Sequence, residues 1–135
     1  MTPELPEATD ENIMKWVFGD DVSSKRMHDA MNSVASETYN EVVSPVNGPL
    51  WARRELPVKT TVLVNLAILA VLNRPHELYT RVVGLLRGGV TVQEIKEVFI
   101  HVGFYAGNPA GVEATVALYE AMEDLKARGV PFRES

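Results

Sequence analysis

The 135-residue chain is long enough for one domain with a buried core, and 46% of its residues are hydrophobic. Its 13 Lys and Arg against 18 Asp and Glu give a formal net charge of -5, which argues against a nucleic-acid or anionic-membrane surface. The absence of cysteine excludes disulfides, thiolate catalysis and thiolate metal sites. Nothing at the start of the chain points to export, and the longest apolar stretch, Val62–Leu72, is too short to span a bilayer. We therefore expect a cytoplasmic protein.

The first segment of the chain predicts an arm and then a short helix. Residues 1–10 contain two prolines and little apolar content, so we expect a flexible N-terminal arm before a single domain over residues 11–135. The apolar pattern of Ile13–Phe18 predicts a short amphipathic helix that ends near Gly19.

The next segment predicts two helices separated by a loop. Apolar residues at three- and four-residue spacing predict a helix over Ser24–Val43. Ser44-Pro-Val-Asn-Gly-Pro49 is a cluster of helix breakers, and we expect a loop from there to Leu56. Pro57 suits the first turn of the following helix, which runs to Leu72. That helix is apolar on most sides, so we expect it to be the central buried one.

Two helices with clear end signals follow. A helix over Pro75–Arg87 should be closed by Gly88-Gly89 as a left-handed cap. Thr91 and Glu94 have the spacing of a capping box, in which each side chain satisfies a backbone N–H of the other residue. The helix that they begin should run to about Ala106.

The last helix completes an all-α chain. Gly107 should stop the preceding helix, with Asn108 as the cap of the next helix and Pro109 at its first position. This helix is expected to continue to about Arg128. Because no alternating strand pattern of useful length occurs, the sequence predicts a single-domain, all-α helical bundle.

The first group of candidate functional residues is Trp51-Ala-Arg-Arg54, on the predicted loop. An arginine fork backed by an indole ring suits the binding of a carboxylate. The structural alternative is a surface arginine pair beside a core tryptophan, and the sequence alone favours this alternative.

The second group, Arg74, His76, Glu77 and Arg81, lies at the start of a predicted helix. Glu77 and Arg81 are four residues apart and therefore share one helix face. Such pairs are usually solvated salt bridges that contribute only about 0.3 to 0.5 kcal/mol. Taken alone, this pair therefore favours a structural role.

The third group is Glu97, His101 and Tyr105, again in four-residue steps. His101 has apolar neighbours, so we expect it to be partly desolvated. A lone histidine on such a helix is more often a hydrogen-bonded core residue than a catalyst, although histidine is the side chain most readily poised near neutral pH. The three histidines have no recognised metal-ligand spacing and no Gly-rich phosphate loop is present, so we predict neither a metal nor a cofactor.

Several short segments occur in a characteristic order along the chain. They are Val17-Phe-Gly-Asp20, Leu50-Trp-Ala-Arg53, Leu56-Pro with Lys59-Thr60, Arg74-Pro-His-Glu-Leu78, Gly89-Val-Thr with Glu94-Ile-Lys-Glu-Val98, and Tyr105-Ala-Gly with Pro109-Ala110. Each segment is common by itself, whereas the ordered set at these separations is specific. Over nearly the whole chain this set resembles the carboxymuconolactone decarboxylase family, a branch of the AhpD-like all-helical superfamily.

The resemblance implies both an assembly and an activity. Family members are all-helical subunits that form homo-oligomers, trimers or hexamers, with sites near subunit contacts. The resemblance also implies that this chain decarboxylates 4-carboxymuconolactone, or a related small lactone or oxoacid, without a cofactor. Such a reaction belongs to aromatic-compound catabolism. The related peroxidase-like branch carries Cys-x-x-Cys-x-x-x-His at the position of Arg74–Arg81, and a cysteine-free chain cannot belong to it.

Three positions depart from the family pattern. Thr61 stands where an arginine is usual, Arg81 where a histidine is usual, and Glu113 where the residue is generally small. His101 occupies a site that is often glutamine or histidine. An arginine missing at 61 and one gained at 81 would preserve anion binding with a changed geometry. Replacing a histidine by Arg81 also removes a proton carrier that titrates near neutral pH, because arginine stays charged.

The family reaction assigns a hypothetical role to each candidate residue. Decarboxylation requires an anchor for the remaining carboxylate, stabilisation of an oxyanion and delivery of a proton to carbon. We assign anchoring and charge stabilisation to Arg53 and Arg81, and proton donation or oxyanion binding to His101. Glu77 would orient Arg81 or relay a proton. The remaining substrate-binding residues would be Trp51, Arg74 and Tyr105.

Three interpretations remain open from the sequence. The first is a carboxy-lyase acting on 4-carboxymuconolactone or a close relative. The second keeps the fold but changes the chemistry to that of an isomerase, a hydrolase or another lyase on a small carboxylated substrate. The third is a non-catalytic oligomeric binding protein, in which Glu77, Arg81 and His101 make subunit contacts.

Overall fold

The structure is a computed structural model that describes residues 3–34 and 36–135, and every regular element in those ranges is helical. The helices are α1 (Asp10–Trp16), α2 (Lys25–Ser33), α3 (Ser36–Thr38), α4 (Ser44–Ala52), α5 (Val58–Val71), α6 (Pro75–Arg87), α7 (Val92–Ala106) and α8 (Asn108–Ala127), with a π-helical turn over Tyr39–Val43 between α3 and α4. The prediction of an all-α fold is confirmed. None of these helices is long and apolar enough to cross a membrane.

The core lies among α1, α5, α6, α7 and α8. Helices α6 and α7 both pack against α8, and α5 lies against both α6 and α7. Helix α1 crosses α5 and α6, and its backbone approaches α6 so closely that a Cβ atom on Gly84 would lie 1.9 Å from the carbonyl oxygen of Trp16. The largest fully buried side chains are those of Ile13, Leu66, Leu85, Leu86, Ile95 and Leu125.

The helix ends in the second half follow the local signals of the sequence. The side chain of Thr91 accepts a hydrogen bond from the N–H of Glu94, whose side chain accepts one from the N–H of Thr91, so the predicted capping box is confirmed. Gly89, after α6, adopts a left-handed conformation with φ of 94°. The expectation for Asn108 is wrong by one residue. Gly107, with φ of 101°, is itself the N-cap of α8, because it is the single residue between the end of α7 and the start of α8.

Predictions for the first half are confirmed only in part. The single helix expected over 24–43 is divided into α2, α3 and the π-helical turn. The loop expected over 44–56 is wrong as far as Ala52, because α4 occupies Ser44–Ala52. Pro45 lies in the first turn of α4, which continues directly from the π-helical turn. Trp51 near the end of α4 is buried, and this tertiary contact holds the helix despite Pro49 in its interior.

Helix α5 is not buried on all sides in the single chain, contrary to expectation. Its buried side consists of Val58, Val62, Leu66, Leu69 and Ala70. Val64, Ile68 and Val71 remain about half exposed on the other side, because α1, α6 and α7 cover only part of its circumference.

The N-terminal arm contacts the C-terminal tail. Residues 3–9 contain no helix, and Arg133 donates a hydrogen bond from Nε to the carbonyl oxygen of Pro6. The tail in turn accepts hydrogen bonds from the first turn of α7, including one of 3.0 Å from the N–H of Val92 to the carbonyl oxygen of Arg133. Residues 1 and 2 of the predicted arm lie outside the described residues, and the flexibility of the arm stays a prediction.

Candidate active site

The central feature of the candidate site is a buried arginine. Arg81 lies in the middle of α6 and is only 8% exposed, although arginine is among the residues least often buried. Its Nη1 donates a hydrogen bond to Oδ1 of Asn65 on α5. Burial of a guanidinium is costly unless other groups replace its hydration, so its surroundings determine what the site can do.

Two aromatic rings flank this guanidinium. Cζ of Arg81 lies 5.2 Å from the ring centre of Phe18 and 5.4 Å from that of Trp51. The rings pack edge to face, with centres 5.5 Å apart and planes at 81°. Each ring offers the cation a favourable contact of about 0.5 to 2 kcal/mol. The cluster thus brings together Trp51 of α4, Asn65 of α5, Arg81 of α6 and Phe18, which lies just after the end of α1.

The guanidinium keeps its charge and has no counter-ion among the described residues. Among the described residues, Arg81 forms no ion pair with a carboxylate. Burial lowers the pKa of Arg81 to about 10, and the negative charge of Glu77 opposes that shift only in part. Because a pKa of about 10 still leaves the group protonated at neutral pH, the site presents an unneutralised positive charge.

Two other partly buried arginines, Arg87 and Arg128, are neutralised by a carboxylate within the chain. Nη1 of Arg87 and Nη2 of Arg128 lie 2.9 Å and 2.6 Å from Oδ2 of Asp20, which is buried. Asp20 also accepts a hydrogen bond from the N–H of Ser23. This cluster joins α6 to the end of α8 through its own carboxylate and has the character of a structural ion cluster.

The remaining residues predicted for the arginine site lie at the surface. Glu77 precedes Arg81 by one helical turn and is exposed, with its charge close enough to raise the pKa of Arg81. Arg53 is exposed beside Trp51, and Arg54 turns back to donate hydrogen bonds to the carbonyl oxygens of both residues. Arg53 and Arg54 lie in the loop of residues 53–57 between α4 and α5.

Arg74 and His76 mark the N-terminal end of α6. Both are exposed, and Nη1 of Arg74 donates to the carbonyl oxygen of Leu72 at 3.2 Å. Nε2 of His76 lies 3.2 Å from Nη1 of Arg26 on α2. Neither residue contacts Arg81 in the described part of the chain, so Arg74 and His76 remain outside the cluster.

His101 is not desolvated in the single chain, contrary to expectation. Its side chain is 70% exposed, and its Nε2 lies 3.6 Å from Oε1 of Glu97 on the same helix. Tyr105, expected as a pocket wall, is 91% exposed. The helix turns both side chains outward because its buried face is formed by Val92, Ile95, Phe99 and Val102. No hydrogen bond or ion pair within the described residues connects His101 or Tyr105 to Arg81.

Sequence reasoning missed two members of the cluster, Phe18 and Asn65. Phe18 stood in a segment that carried the family resemblance but had no assigned role, because nothing local links it to residue 81. Asn65 had a visible signal, since it is the polar interruption of the apolar stretch 62–72. A polar side chain in a mostly apolar helix needs a partner, and that partner is Arg81.

A separate apolar groove runs between α7 and α8. It has a volume of about 650 Å³, is open to solvent, and is lined mainly by apolar groups, including Phe99, Ile100, Phe104 and Val112. Helices α7 and α8 approach closely beside it, with Gly111 facing Gly103. Within the described residues, no group of three or more His, Asp or Glu could hold a metal ion.

The sequence comparisons assign the chain to a family. Residues 38–121 match the Carboxymuconolactone decarboxylase family, and this range contains Trp51, Asn65, Glu77 and Arg81. Since the match covers more than half of the chain, the protein belongs to the carboxymuconolactone decarboxylase family.

Two relatives carry decarboxylase names. The chain is similar to a 4-carboxymuconolactone decarboxylase of Acinetobacter baylyi, with 38% identity over 78 residues, which are 58% of this chain and 58% of that protein. It is also similar to a nitrosuccinic acid decarboxylase of Metarhizium robertsii, with 29% identity over 82 residues, which are 61% of this chain and 57% of that protein. The similarity therefore spans less than two thirds of the length of either relative.

Proposed function

We propose that this protein is a carboxy-lyase that removes CO2 from a small dicarboxylate, 4-carboxymuconolactone or a related lactone or oxoacid. The observation that carries the proposal is the buried, charged guanidinium of Arg81, flanked by Phe18 and Trp51 and without a carboxylate partner in the described residues. Such a group favours the binding of an anion, and a planar fork of N–H donors matches a carboxylate.

The chemistry of the two relatives' named substrates supports this class. Carboxymuconolactone and nitrosuccinate each carry two carboxylates, one of them on a carbon activated by an acceptor group. When the carbon–carboxylate bond breaks, its electron pair moves into the lactone carbonyl or the nitro group. A proton then adds to the same conjugated system. The substrate accepts the electrons itself, so the protein must mainly hold the second carboxylate and supply a proton.

Arg81 is the proposed anchor for the carboxylate that remains. Its two aromatic neighbours keep water away from the guanidinium, which strengthens the attraction between the cation and an arriving anion. Of these neighbours, Trp51 is 8% exposed and Phe18 is 44% exposed. Phe18 is therefore the outer wall, and we expect it to move when the substrate enters.

The proton donor has two candidates in different places. Glu77 is one turn from Arg81 on the same helix, whereas His101 is exposed on α7 and out of contact with Arg81 in the single chain. We infer that the protein acts as a homo-oligomer and that His101 and Tyr105 of one subunit complete the Arg81 site of another. Exposed apolar side chains on α5, α7 and α8, such as Ile68, Phe104 and Val116, support such an assembly.

The proposal is tested by incubating the protein with 4-carboxymuconolactone and, separately, with 2-nitrosuccinate. CO2 release and the organic product are followed by NMR, against samples without protein. We expect accelerated loss of CO2 from at least one substrate, and at least 100-fold less acceleration by Arg81→Gln. The matched control is Lys25→Gln, which removes one positive charge from an exposed residue of α2. No acceleration by the assembled wild-type protein would overturn the proposal.

The same variants separate the two other interpretations. A binding protein that uses Arg81 for subunit contacts would show no turnover, and Arg81→Gln would dissociate it in size-exclusion chromatography. The positions Thr61, Arg81 and Glu113 favour diverged chemistry as the second candidate. In that case, isomerisation or hydrolysis of a carboxylated lactone would occur without CO2 release.

A further inference from the structure

Asn65 has a position that the proposed function does not yet use. It lies on α5, whose other side chains facing the core are apolar, and it is partly buried. A partly buried amide without a partner would destabilise the helix packing. Its oxygen accepts the Nη1–H of Arg81, so this hydrogen bond spans the contact between α5 and α6.

The choice of an amide, rather than a carboxylate, has an electrostatic consequence. Asp20 holds Arg87 and Arg128 with a negative charge and neutralises them within the chain. Asn65 holds the guanidinium of Arg81 through one amide oxygen, at the position that one oxygen of an aspartate would take, yet adds no charge. The faces of Phe18 and Trp51 attract the cation without neutralising it.

We propose that Asn65 is a positioning residue that sets the preference of the site for a doubly charged substrate. It orients Arg81 through its amide oxygen while leaving the positive charge of the guanidinium for the substrate's second carboxylate. The inference rests on the proposed function in one respect, namely that the bound anion is a carboxylate of the substrate.

The decisive variant is Asn65→Asp, which keeps the shape of the side chain and gives Arg81 an internal counter-ion. We expect this variant to fold with the same or a higher Tm. Its KM for the dicarboxylate substrate should rise at least tenfold, with a smaller change in kcat, because the new carboxylate competes for the guanidinium. Asn65→Ala removes the acceptor without adding charge, and its KM should rise less than tenfold. The control Asn73→Asp adds the same charge at an exposed residue with left-handed φ of 54°, which aspartate tolerates.

A binding measurement tests the charge preference directly. Succinate and its monoamide, succinamate, have nearly the same shape and differ by one negative charge. In thermal unfolding of the full protein, we expect 10 mM succinate to raise the Tm of the wild type, Asn65→Ala and Asn73→Asp more than 10 mM succinamate does. For Asn65→Asp, the two compounds should raise the Tm equally, or not at all.

Each other outcome contradicts the inference. Asn65 has no such role if Asn65→Asp keeps the wild-type preference for succinate, or if Asn65→Ala loses that preference as fully as Asn65→Asp. The inference is also wrong if the wild type shows no preference for succinate over succinamate. Should Asn65→Asp fail to fold, Arg81 already had its charge compensated and the inference is wrong. If the wild type prefers succinate but decarboxylates neither test substrate, the proposed function fails while the role of Asn65 stands.

Discussion

Nη1 of Arg81 donates a hydrogen bond to the amide oxygen of Asn65, 16 residues earlier in the chain. This contact pairs a buried charge with a neutral acceptor, whereas the neighbouring arginines of α6 and α8 share a carboxylate on Asp20. The fold therefore separates two kinds of arginine, one neutralised for stability and one left with its charge.

The geometry of the cation, as well as its charge, should matter at residue 81. We expect Arg81→Gln to lower kcat/KM at least 100-fold, a loss of about 2.7 kcal/mol of transition-state binding. Arg81→Lys keeps the charge but loses the planar fork, so its loss should be about tenfold. Steady-state kinetics measure both values, and size-exclusion chromatography checks that assembly is retained. Equal loss in the two variants would indicate that shape alone, and not charge, is required.

Activity should be shared between subunits if His101 takes part in the reaction. We expect Arg81→Gln and His101→Gln to be inactive as pure proteins. When the two are co-expressed and assembled together, about a quarter of the wild-type activity should return, because some sites then combine an intact Arg81 with an intact His101 from different chains. A mixture that stays inactive would contradict a site shared between subunits. Glu77 would become the candidate proton donor if pure His101→Gln kept its activity.

The cluster around Asp20 should control stability and not catalysis. We expect Asp20→Asn to lower the free energy of unfolding at pH 7 by about 3 kcal/mol or more, because two partly buried arginines lose their counter-charge. Urea unfolding followed by circular dichroism measures this loss. Asp21→Asn is the matched control, since Asp21 is adjacent but exposed and should change stability by less than about 0.5 kcal/mol.

The same carboxylate determines part of the acid sensitivity. Burial raises the pKa of Asp20, but hydrogen bonds from Arg128, Ser23 and Arg87 outweigh burial, so its pKa lies below the ordinary value. A carboxyl group with a lowered folded-state pKa stabilises the protein above its unfolded pKa and loses that stabilisation as pH falls towards the folded value. Between about pH 5 and pH 2, the wild type should therefore lose more stability than Asp20→Asn. Parallel stability curves for the two proteins would contradict this assignment.

The crossing of α1 and α6 should tolerate no side chain at residue 84. We expect Gly84→Ala to lower the free energy of unfolding by about 2 kcal/mol or more, because the new Cβ would overlap the backbone oxygen of Trp16. Gly48→Ala is the control. A Cβ at that position in α4 meets no atom within 4 Å, so it should stabilise the helix by up to about 1 kcal/mol. Thermal or urea unfolding would reveal the opposite signs.

Sequence reasoning located the elements whose ends are set by neighbours in the chain. The capping box of Thr91 and Glu94 and the proline at the start of α6 act within three or four residues, so their effects are readable from spacing. The error at α4 has the opposite origin. Its prolines predict a loop, but burial of Trp51 through contacts from elsewhere in the fold outweighs that local preference.

The sequence by itself determined the all-α class, the absence of thiol chemistry, the family resemblance and most helix ends in the second half. Tertiary structure alone decided that Arg81 is buried while His101 and Tyr105 are exposed, since the turn of each helix towards the core depends on what packs against it. It also decided that Phe18, Trp51 and Asn65 meet at Arg81. These residues come from separate helices and loops, and no local spacing records which of them the folded core brings together.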